Sequence, residues 1–166
     1  VMGRKYAQMI AEEKAGALRL TAVVCRSAGA QQWAKDTLPD TVRVCPSAEA
    51  LYDYAEVFDA VLVVTPHKTH PELVMQAFAH GKHVLCDKPS ANALAPALKM
   101  NRAAEESGLV FAMMFHQRRY KKYMRLKKLL DDGAMGAVKR VQLENSRYFR
   151  TWMYHRSGSW RSSWAG

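Results

Sequence analysis

Polar side chains that could bind or activate a ligand follow several apolar, strand-like segments of the sequence. The groups are Arg26-Ser27, Thr65-Pro66-His67, Asp87-Lys88-Pro89 and His116-Gln117-Arg118. Cations, hydroxyl groups, imidazoles and an acid would suit a ligand that carries phosphate and hydroxyl groups. A solvated loop edge is polar as well, so both interpretations stay open. Whether the four groups meet depends on the elements that carry them.

Alternating helix and strand patterns predict that these groups share one edge of a sheet. Apolar runs indicate strands at Leu18–Cys25, Val42–Cys45, Ala60–Thr65, His83–Cys86 and Val110–Phe115. Helical spacing indicates helices at Arg4–Lys14, Ala30–Lys35 and Ala48–Tyr54, from Pro71 to Gly81, and from Asn92 as N-cap to Ser107. Repeated strand–helix–strand units predict an α/β fold, a Rossmann-like parallel sheet with helices on both faces. Ligands bind such sheets at the carboxyl ends of the strands.

The character of the sequence changes after Phe115. Tyr120–Asp131 has the pattern of a basic amphipathic helix, with an inward stripe of Tyr120, Tyr123, Leu126, Leu129 and Leu130. Val138–Glu144 has a strand pattern, and the tail from Ser146 shows no clear period. We therefore predict a first domain at 1–119 and the beginning of a second at 120–166.

The formal net charge of +10 raises nucleic acid as a candidate partner. Arg118–Lys128 interleaves cations with aromatic residues, as proteins that bind single strands do. The inward stripe would instead leave these cations on a solvated face. The sequence therefore favours a protein without a nucleic-acid partner.

Cysteine use and hydropathy narrow the class of protein further. Cys25, Cys45 and Cys86 are widely spaced and odd in number, which indicates buried, reduced thiols and no metal site. No apolar run approaches the ~20 residues of a membrane span, and the N-terminal segment lacks the apolar core of a secretory signal. These features predict a cytoplasmic protein that does not bind a membrane.

Several ordered motifs carry a resemblance to a known family. They are Thr65–His70, Gly81–Pro89, Phe115–Arg118, Gly133–Gly136 and Trp160–Gly166. With them the chain resembles the Gfo/Idh/MocA oxidoreductases over essentially its whole length. The resemblance implies that 1–119 form a Rossmann domain for NAD or NADP that lacks its first strand. It implies that 120–166 hold a linking helix and the start of an α+β substrate and oligomerisation domain with an open antiparallel sheet.

The resemblance implies that Lys88 is the catalytic residue. It follows Asp87, where the family usually has Glu, and it precedes Pro89, which restrains the local backbone. Hydride loss from a secondary alcohol builds carbonyl character, and an ammonium group bonded to that oxygen orients it and assists proton removal. An isolated lysine in a loop is more often a solvated side chain, but the surrounding motifs favour the catalytic interpretation.

The resemblance also implies a set of cofactor-binding residues. They are Gly3, as the last glycine of a Gly-x-Gly-x-x-Gly loop, and Thr65, Pro66, His70, Asp87, Lys88, Pro89, Gln117, Arg118, Trp160 and Arg161. Arg26 and Ser27 stand where an acid would bind the ribose of NAD, and a guanidinium there mildly favours the 2′-phosphate of NADP. Two alternatives stay open: His70 as the neighbour of a helix cap, and the tryptophans as packing residues.

We expect the whole protein to transfer hydride between the cofactor and a secondary hydroxyl or carbonyl group of a sugar or cyclitol. A family member that binds cofactor or sugar without catalysis is the alternative. Most of the pyrophosphate loop and the proton-accepting histidine of the family are not among the 166 residues, so we expect this chain alone to be inactive or nearly so. Homo-oligomers, which are common in the family, are plausible for the whole protein.

Overall fold

Short strands and helices alternate along the part of the chain that the structure describes. The computed structural model describes residues 2–144, 146 and 149–158. Strands β1 to β5 are Ala22–Val24, Arg43–Cys45, Ala60–Val63, His83–Cys86 and Phe111–Met113. Helices α1 to α7 are Met2–Ala11, Ala28–Thr37, Ala48–Tyr52, His70–Ala79, Leu94–Ser107, Lys121–Asp131 and Trp152–Arg156. The chain divides into two units, Val1–Met113 and Met114–Gly166, and these strands all belong to the first.

All strand pairs are parallel, as the sequence predicts, but the strands form two sheets rather than one. β1 pairs with β2, with Val23 opposite Val44. The other sheet has the order β3-β4-β5, with Leu85 of β4 between Leu62 and Ala112. In the doubly wound order 3-2-1-4-5-6, strands 3-2 and 4-5-6 lie on either side of strand 1. The sheet β2-β1 corresponds to strands 3-2 of that order, and the sheet β3-β4-β5 corresponds to strands 4-5-6. This correspondence explains why the two sheets share no strand pair in the described chain.

Helices α4 and α5 cover one face of β3-β4-β5 with an apolar core. The core consists of Val63, Val74, Ala77, Phe78, Val84, Cys86 and Met100. Side chains alternate between the faces of a strand, so β4 directs Val84 and Cys86 to this side. Burial of each large apolar side chain stabilises the fold by about 1.5–3 kcal/mol. This core holds β3 and β4, and therefore the loops that follow them, in a fixed register.

Helix α1 contributes to both halves of the first unit. Its Ala7 belongs to a second core beside β1-β2, together with Cys25, Ala34, Leu38 and Val42. One turn earlier, Gly3 approaches Val64 so closely that a Cβ atom at Gly3 would lie 3.3 Å from Val64 Cγ2. Val64 comes directly after β3, so α1 begins at the carboxyl end of that strand. From there it reaches the core of the other sheet.

Local signals set the ends of several helices. The side chain of Ser47 caps α3, as predicted, and accepts a hydrogen bond from Ala50 N at 3.2 Å. Gly108 ends α5 in the left-handed conformation, with φ of 65°, which glycine adopts without steric cost. The predicted cap at Asn92 is wrong. Ala93 occupies the N-cap position without a side-chain hydrogen bond, because α5 begins one residue later than that cap requires.

Two strands are shorter than the apolar pattern predicts. The prediction at Leu18–Cys25 shrinks to β1, and the prediction at Val110–Phe115 shrinks to β5. Each of these strands pairs with one neighbour only, over a register of three residues. A residue counts as strand only where a partner accepts or donates its backbone hydrogen bonds. The apolar runs are therefore longer than the segments that pair with a neighbouring strand.

The predicted helix at Tyr120–Asp131 is confirmed by α6, but the predicted inward stripe is not buried. Tyr123, Leu126 and Leu130 are 43%, 45% and 40% exposed. Among the described residues no element covers this face. The opposite charges of Lys127 and Asp131 pair at 2.8 Å, one helical turn apart.

The predicted strand at Val138–Glu144 is wrong. These residues have no regular secondary structure, and Val141 and Leu143 are 81% and 88% exposed. A strand needs a neighbour for its backbone groups, and no segment of the described chain pairs with this one. Helix α7 was not predicted, and it is capped by Thr151, whose side chain accepts a hydrogen bond from Tyr154 N at 3.4 Å.

Candidate functional site

Loops with polar side chains leave the carboxyl ends of β1, β3 and β4. Arg26 and Ser27 come directly after Cys25, whose backbone N–H donates to Cys45 O at 2.8 Å and so extends the pairing of β1 with β2. Thr65-Pro66 follows β3 closely, and Asp87-Lys88-Pro89 follows β4. Because β3 and β4 are parallel neighbours, their two loops emerge side by side. This edge is the place where open α/β sheets bind ligands.

The start of α1 adds backbone N–H groups to the same edge. Gly3 lies in the first turn of this helix, where N–H groups have no partner within the helix. A Cβ atom at this position would crowd Val64 Cγ2 at 3.3 Å, so glycine allows the helix to start close to the strand end. Such close packing is the role of the last glycine in a dinucleotide-binding loop, and the positive end of a helix dipole favours phosphate. The residues present therefore fit the phosphates of a dinucleotide.

Lys88 is exposed at this edge on a backbone that is held from both sides. Before it, Asp87 N donates to Val63 O at 2.8 Å and so continues the pairing of β4 with β3. The carboxylate oxygen Oδ1 of Asp87 accepts a hydrogen bond from Lys88 N at 2.8 Å. After it, the carbonyl oxygen of Pro89 lies 2.9 Å from His70 Nδ1. None of the ion pairs within the described chain uses Lys88, so its ammonium group is available to a ligand.

Tyr6 is a residue of this edge that the sequence analysis missed. It lies one turn after Gly3 on α1 and is half-buried. Burial and, to a lesser extent, the negative charge of Asp87 raise the pKa of its hydroxyl group. Tyr6 is therefore within the electrostatic range of the carboxylate of Asp87. Tyr6 lies three residues after Gly3, and this spacing puts both residues on the same face of the helix. That spacing could have indicated Tyr6 from the sequence.

His70 is the first residue of α4 and is fully buried. Its Nδ1 lies 2.9 Å from Pro89 O, and its Nε2 lies 2.8 Å from Thr65 O. The ring therefore bridges the loop after β3 and the loop after β4. Neither the burial nor the bridge was predicted, because the two carbonyl groups come from positions that are 5 and 19 residues away.

The first of these loops is closed by further hydrogen bonds. The hydroxyl group of Thr69 lies 2.7 Å from that of Thr65 and donates to Pro66 O at 2.8 Å. The backbone N–H of Thr69 donates to Pro66 O as well, at 2.9 Å. These bonds hold Thr65 and Pro66 in a short turn, so the loop presents a fixed surface beside Lys88.

Arg26 and Ser27 differ in the contacts that their side chains make. Ser27 caps α2, where its Oγ accepts a hydrogen bond from Ala30 N at 3.3 Å. Its hydroxyl hydrogen can still be donated to a ligand. Arg26 is exposed beside the start of α2. Gln31 Nε2 donates to Cys25 O at 3.0 Å and so fixes the strand end from which Arg26 projects.

The remaining predicted site residues belong to the second unit. Gln117 and Arg118 lie in the short 3-10 helix His116–Arg119, and both are exposed. The guanidinium group of Arg118 lies 5.1 Å from the ring centre of Phe115. Trp160 and Arg161 lie outside the described residues.

Other types of site find little support in the described residues. Cys25, Cys45 and Cys86 are buried, and burial is the main cause that raises the pKa of each thiol, to about 12 for Cys86. A protonated thiol is a poor nucleophile. The described part of the chain contains no group of three metal-ligating side chains. It also contains no helix of the length and apolar character that a membrane span requires.

Residues 1–115 match a family described as an oxidoreductase family with an NAD-binding Rossmann fold. The chain belongs to this family. The match covers all five strands and the loops that carry Arg26, Thr65 and Lys88. The family's fold agrees with the parallel α/β architecture and with the close packing of Gly3 at the strand ends.

Several similar proteins are named inositol dehydrogenases, and others are named a 2,7-anhydro-N-acetylneuraminate hydratase and a 1,5-anhydro-D-fructose reductase. Inositol 2-dehydrogenase of Gluconacetobacter diazotrophicus is 38% identical over 110 residues, which are 66% of this chain and 31% of that protein. The scyllo-inositol 2-dehydrogenase (NADP(+)) of Bacillus subtilis is 29% identical over 109 residues, which are 62% of this chain and 30% of that protein. The chain thus spans about a third of the length of these curated relatives.

A solved structure supports the same fold. The crystal structure of scyllo-inositol dehydrogenase from Lactobacillus casei, with bound NAD(H) and scyllo-inositol, superposes with a TM-score of 0.73 at 27% identity. The superposition covers 81% of this chain and 39% of that one.

Proposed function

We propose that the protein containing this chain is an NAD(P)-dependent oxidoreductase that interconverts a secondary hydroxyl and a carbonyl group of a cyclitol or sugar. When bound, the dinucleotide supplies the acceptor or donor of the hydride. The observation that carries the proposal is the exposed ammonium group of Lys88 at a sheet edge that also holds the start of α1. The cyclitol or sugar class is supported by the inositol dehydrogenases to which the chain is similar.

In this proposal Lys88 binds and orients the reacting oxygen of the substrate. Its ammonium group can donate up to three hydrogen bonds, and it stabilises negative charge on an alcohol oxygen that loses its proton. The contacts of Asp87 with Val63 O and with Lys88 N restrict the backbone from which the side chain projects. A restrained backbone lowers the conformational entropy that the Lys88 side chain loses when its ammonium group binds the substrate.

The test replaces Lys88 and compares the variant with a matched lysine elsewhere. Lys88→Met removes the ammonium group and keeps an unbranched apolar side chain. We expect kcat for oxidation of an inositol by the whole protein to fall by about 10²–10⁴-fold, with little change in the dissociation constant of the cofactor. Lys99→Met, on an exposed face of α5, is the control and should leave kcat unchanged. A Lys88→Met enzyme with normal kcat would refute the role of Lys88.

For the cofactor, we propose NADP rather than NAD. The support is Arg26, which is exposed after β1 beside the N-terminal turn of α2 and Ser27. A guanidinium group can bind two phosphate oxygens at once, and an acid at this position would instead favour the ribose hydroxyl groups of NAD. Relatives do not decide between the two, since one is named for NADP(+) and a similar structure holds NAD(H).

The cofactor proposal is tested by titrating the protein with NADPH and with NADH, followed by their fluorescence. We expect NADPH to bind more tightly, and we expect Arg26→Gln to weaken NADPH by about 10–100-fold, which corresponds to a charged hydrogen bond of about 1.5–3 kcal/mol. The affinity for NADH should hardly change. Tighter binding of NADH by the unaltered protein would show that Arg26 does not select the 2′-phosphate.

The organisation of the rest of the protein is proposed on the same basis. Residues 1–119 would be the nucleotide-binding part, and 120–166 would lead into a substrate domain that also forms homo-oligomers. Gln117, Arg118, Trp160 and Arg161 would also bind the cofactor. Support comes from the greater length of the relatives, about two thirds of which has no counterpart in this chain.

A further inference from the structure

The imidazole ring of His70 has a backbone oxygen at each of its two nitrogen atoms. Nδ1 lies 2.9 Å from Pro89 O, and Nε2 lies 2.8 Å from Thr65 O. Both distances are those of a hydrogen bond from a ring N–H to a carbonyl oxygen; a neutral imidazole donates only one of the two, and both are made only when each nitrogen carries a proton. The side chain is 0% exposed, so water does not compete for either nitrogen. Both nitrogen atoms of this ring therefore face the protein's own backbone rather than a ligand.

The two carbonyl groups belong to the two loops that form the candidate site. Thr65 stands after β3 and Pro89 stands after β4, while His70 itself begins α4, which packs on both strands. The ring is thus connected to the apolar core through its own helix. It fixes each loop relative to that core rather than only relative to the other loop.

The residues on both sides of Lys88 have backbone groups that contact other parts of the protein. Asp87 on its N-terminal side is tied to Val63 O by its backbone N–H. Pro89 on its C-terminal side has no N–H to donate, so its carbonyl oxygen is the one backbone group through which this residue can be held. The contact with His70 Nδ1 uses that group.

We propose that His70 is a positioning residue, whose two ring nitrogens contact the carbonyl oxygens of Pro89 and Thr65 and thereby fix the backbone from which the Lys88 side chain projects. The functional part rests on the proposed role of Lys88. His70 does not touch the cofactor or the substrate in this arrangement, because a ring nitrogen would first have to leave its carbonyl partner. The side chain is 0% exposed, so no ring atom is accessible to either molecule.

Two amide variants separate the contributions of the two nitrogen atoms. His70→Asn can place an N–H group near the position of Nδ1 and so retain the bond to Pro89 O. His70→Gln can place one near Nε2 and retain the bond to Thr65 O. His70→Phe keeps an aromatic ring and removes both nitrogen contacts. Since Pro89 is the neighbour of Lys88, we expect the Asn variant to be closer to the unaltered enzyme in kcat than the Gln variant, and the Phe variant to be the slowest.

The whole protein is assayed for kcat, for the KM of an inositol, and for cofactor affinity by fluorescence. We expect His70→Phe to lower kcat by about 10²-fold, the loss that a displacement of about 1 Å causes, while the dissociation constant of the cofactor hardly changes. Hydrogen exchange of the Asp87 and Lys88 amides should accelerate in the same variant. His80→Phe, at the other end of α4 where the ring stacks on Tyr52 at 4.0 Å, is the matched control and should alter none of these values.

Two results would overturn the proposal. If His70→Phe weakens cofactor binding at least as much as it lowers kcat, the ring contacts the cofactor. If the Asn, Gln and Phe variants share the unaltered kcat and exchange rates, the bridge does not position Lys88.

A measurement on the unaltered protein covers the case in which His70→Phe does not fold. With ¹⁵N-labelled histidine, a slowly exchanging ring N–H proton of His70 should show nuclear Overhauser contacts to Pro89 or Ser90, or to Thr65 or Pro66. A ring whose N–H protons exchange freely with water would refute the bridge. The exchange and NMR measurements need no turnover, so they test the bridge even if no inositol is oxidised, and that outcome would count against the proposed function instead.

Discussion

The three thiols of the first unit are buried, Cys25 and Cys86 within its two apolar cores, and this burial decides their chemistry. Cys86 belongs to the core between α4 and the β3-β4-β5 sheet and is 0% exposed. Burial and, less strongly, the charge of Asp87 raise the pKa of this thiol from 9.0 to about 12. The thiol therefore stays protonated at neutral pH although Lys88 is only two residues away. Proximity in sequence to a catalytic candidate does not make it a nucleophile.

The raised pKa of Cys86 predicts a loss of stability in alkali. An unfolded chain releases the thiol proton near pH 9.0, whereas the folded chain holds it to about pH 12. The unfolded state therefore binds fewer protons in this window, and the free energy of unfolding falls as pH rises above about 9. Urea unfolding from about pH 8 to about pH 11 should show this fall, and Cys86→Ala should make it shallower.

Tyr52 supplies a second variant for the same experiment. Burial raises the pKa of its hydroxyl group from 10.0 to about 12, so Tyr52→Phe should also reduce the alkaline slope, from a higher starting pH. Equal slopes in all three proteins would show that neither group keeps its proton in the folded state.

At the scale of single residues, position was easier to predict than burial. The apolar run before Lys88 predicts that it follows a strand, and the structure has it exposed after β4, while its catalytic role stays a prediction. The bridge of His70 depends on two carbonyl oxygens that only the folded chain brings together. Tyr6 was missed because its neighbour Asp87 is far away in sequence.

Helix α1 shows at the scale of one element how a single glycine sets the distance between a helix and a strand. A Cβ atom at Gly3 would lie 3.3 Å from Val64 Cγ2, which requires the valine to shift by a few tenths of an ångström. Gly29 in α2 is the contrasting case, since a Cβ atom there would have nothing within 4 Å. The two glycines therefore allow a matched comparison of packing with helix propensity.

We predict that the two Gly→Ala substitutions differ in their effect on stability. Gly3→Ala should lower the free energy of unfolding by about 1 kcal/mol, because overpacking outweighs the better helix propensity of alanine. Gly29→Ala should be neutral or stabilising by up to about 1 kcal/mol. In a Val64→Ala background the Gly3→Ala change should become favourable, which a double-mutant cycle from urea unfolding would measure. A destabilising effect of equal size in both backgrounds would show that Val64 is not the obstacle.

The elements themselves were predicted to the extent that local signals define them. The strand His83–Cys86 was predicted at its exact bounds, since Gly81 precedes it and polar residues follow it. The strand at Val138–Glu144 was predicted from an alternating pattern, but pairing depends on a neighbour that the described chain does not provide there. Asn92 has a good capping side chain, yet the helix begins where Ala93 is the cap. Pattern indicates an element, and tertiary contacts set its limits.

The α/β class of the first unit followed from the repeated strand–helix–strand order, and the structure confirms it. The separation into a two-stranded and a three-stranded sheet did not follow from any local pattern, because strand order is a property of the fold as a whole. The charge of +10 gave the least information, since pairs such as Lys128 with Asp132 lie on the exposed face of α6. Composition alone would have favoured a polyanion partner.

Helix α1 couples the stability of the two apolar cores of the first unit, because it packs against both. Ala7 packs in one core and Gly3 packs against the strand end that adjoins the other, so α1 cannot leave without exposing apolar surface in both halves. A phosphate-bearing ligand at its N-terminus would bind only while the helix is in place. Such binding would then stabilise the two halves together, in proportion to the logarithm of ligand concentration. The bound ligand would therefore make the unfolding of the two small cores more cooperative.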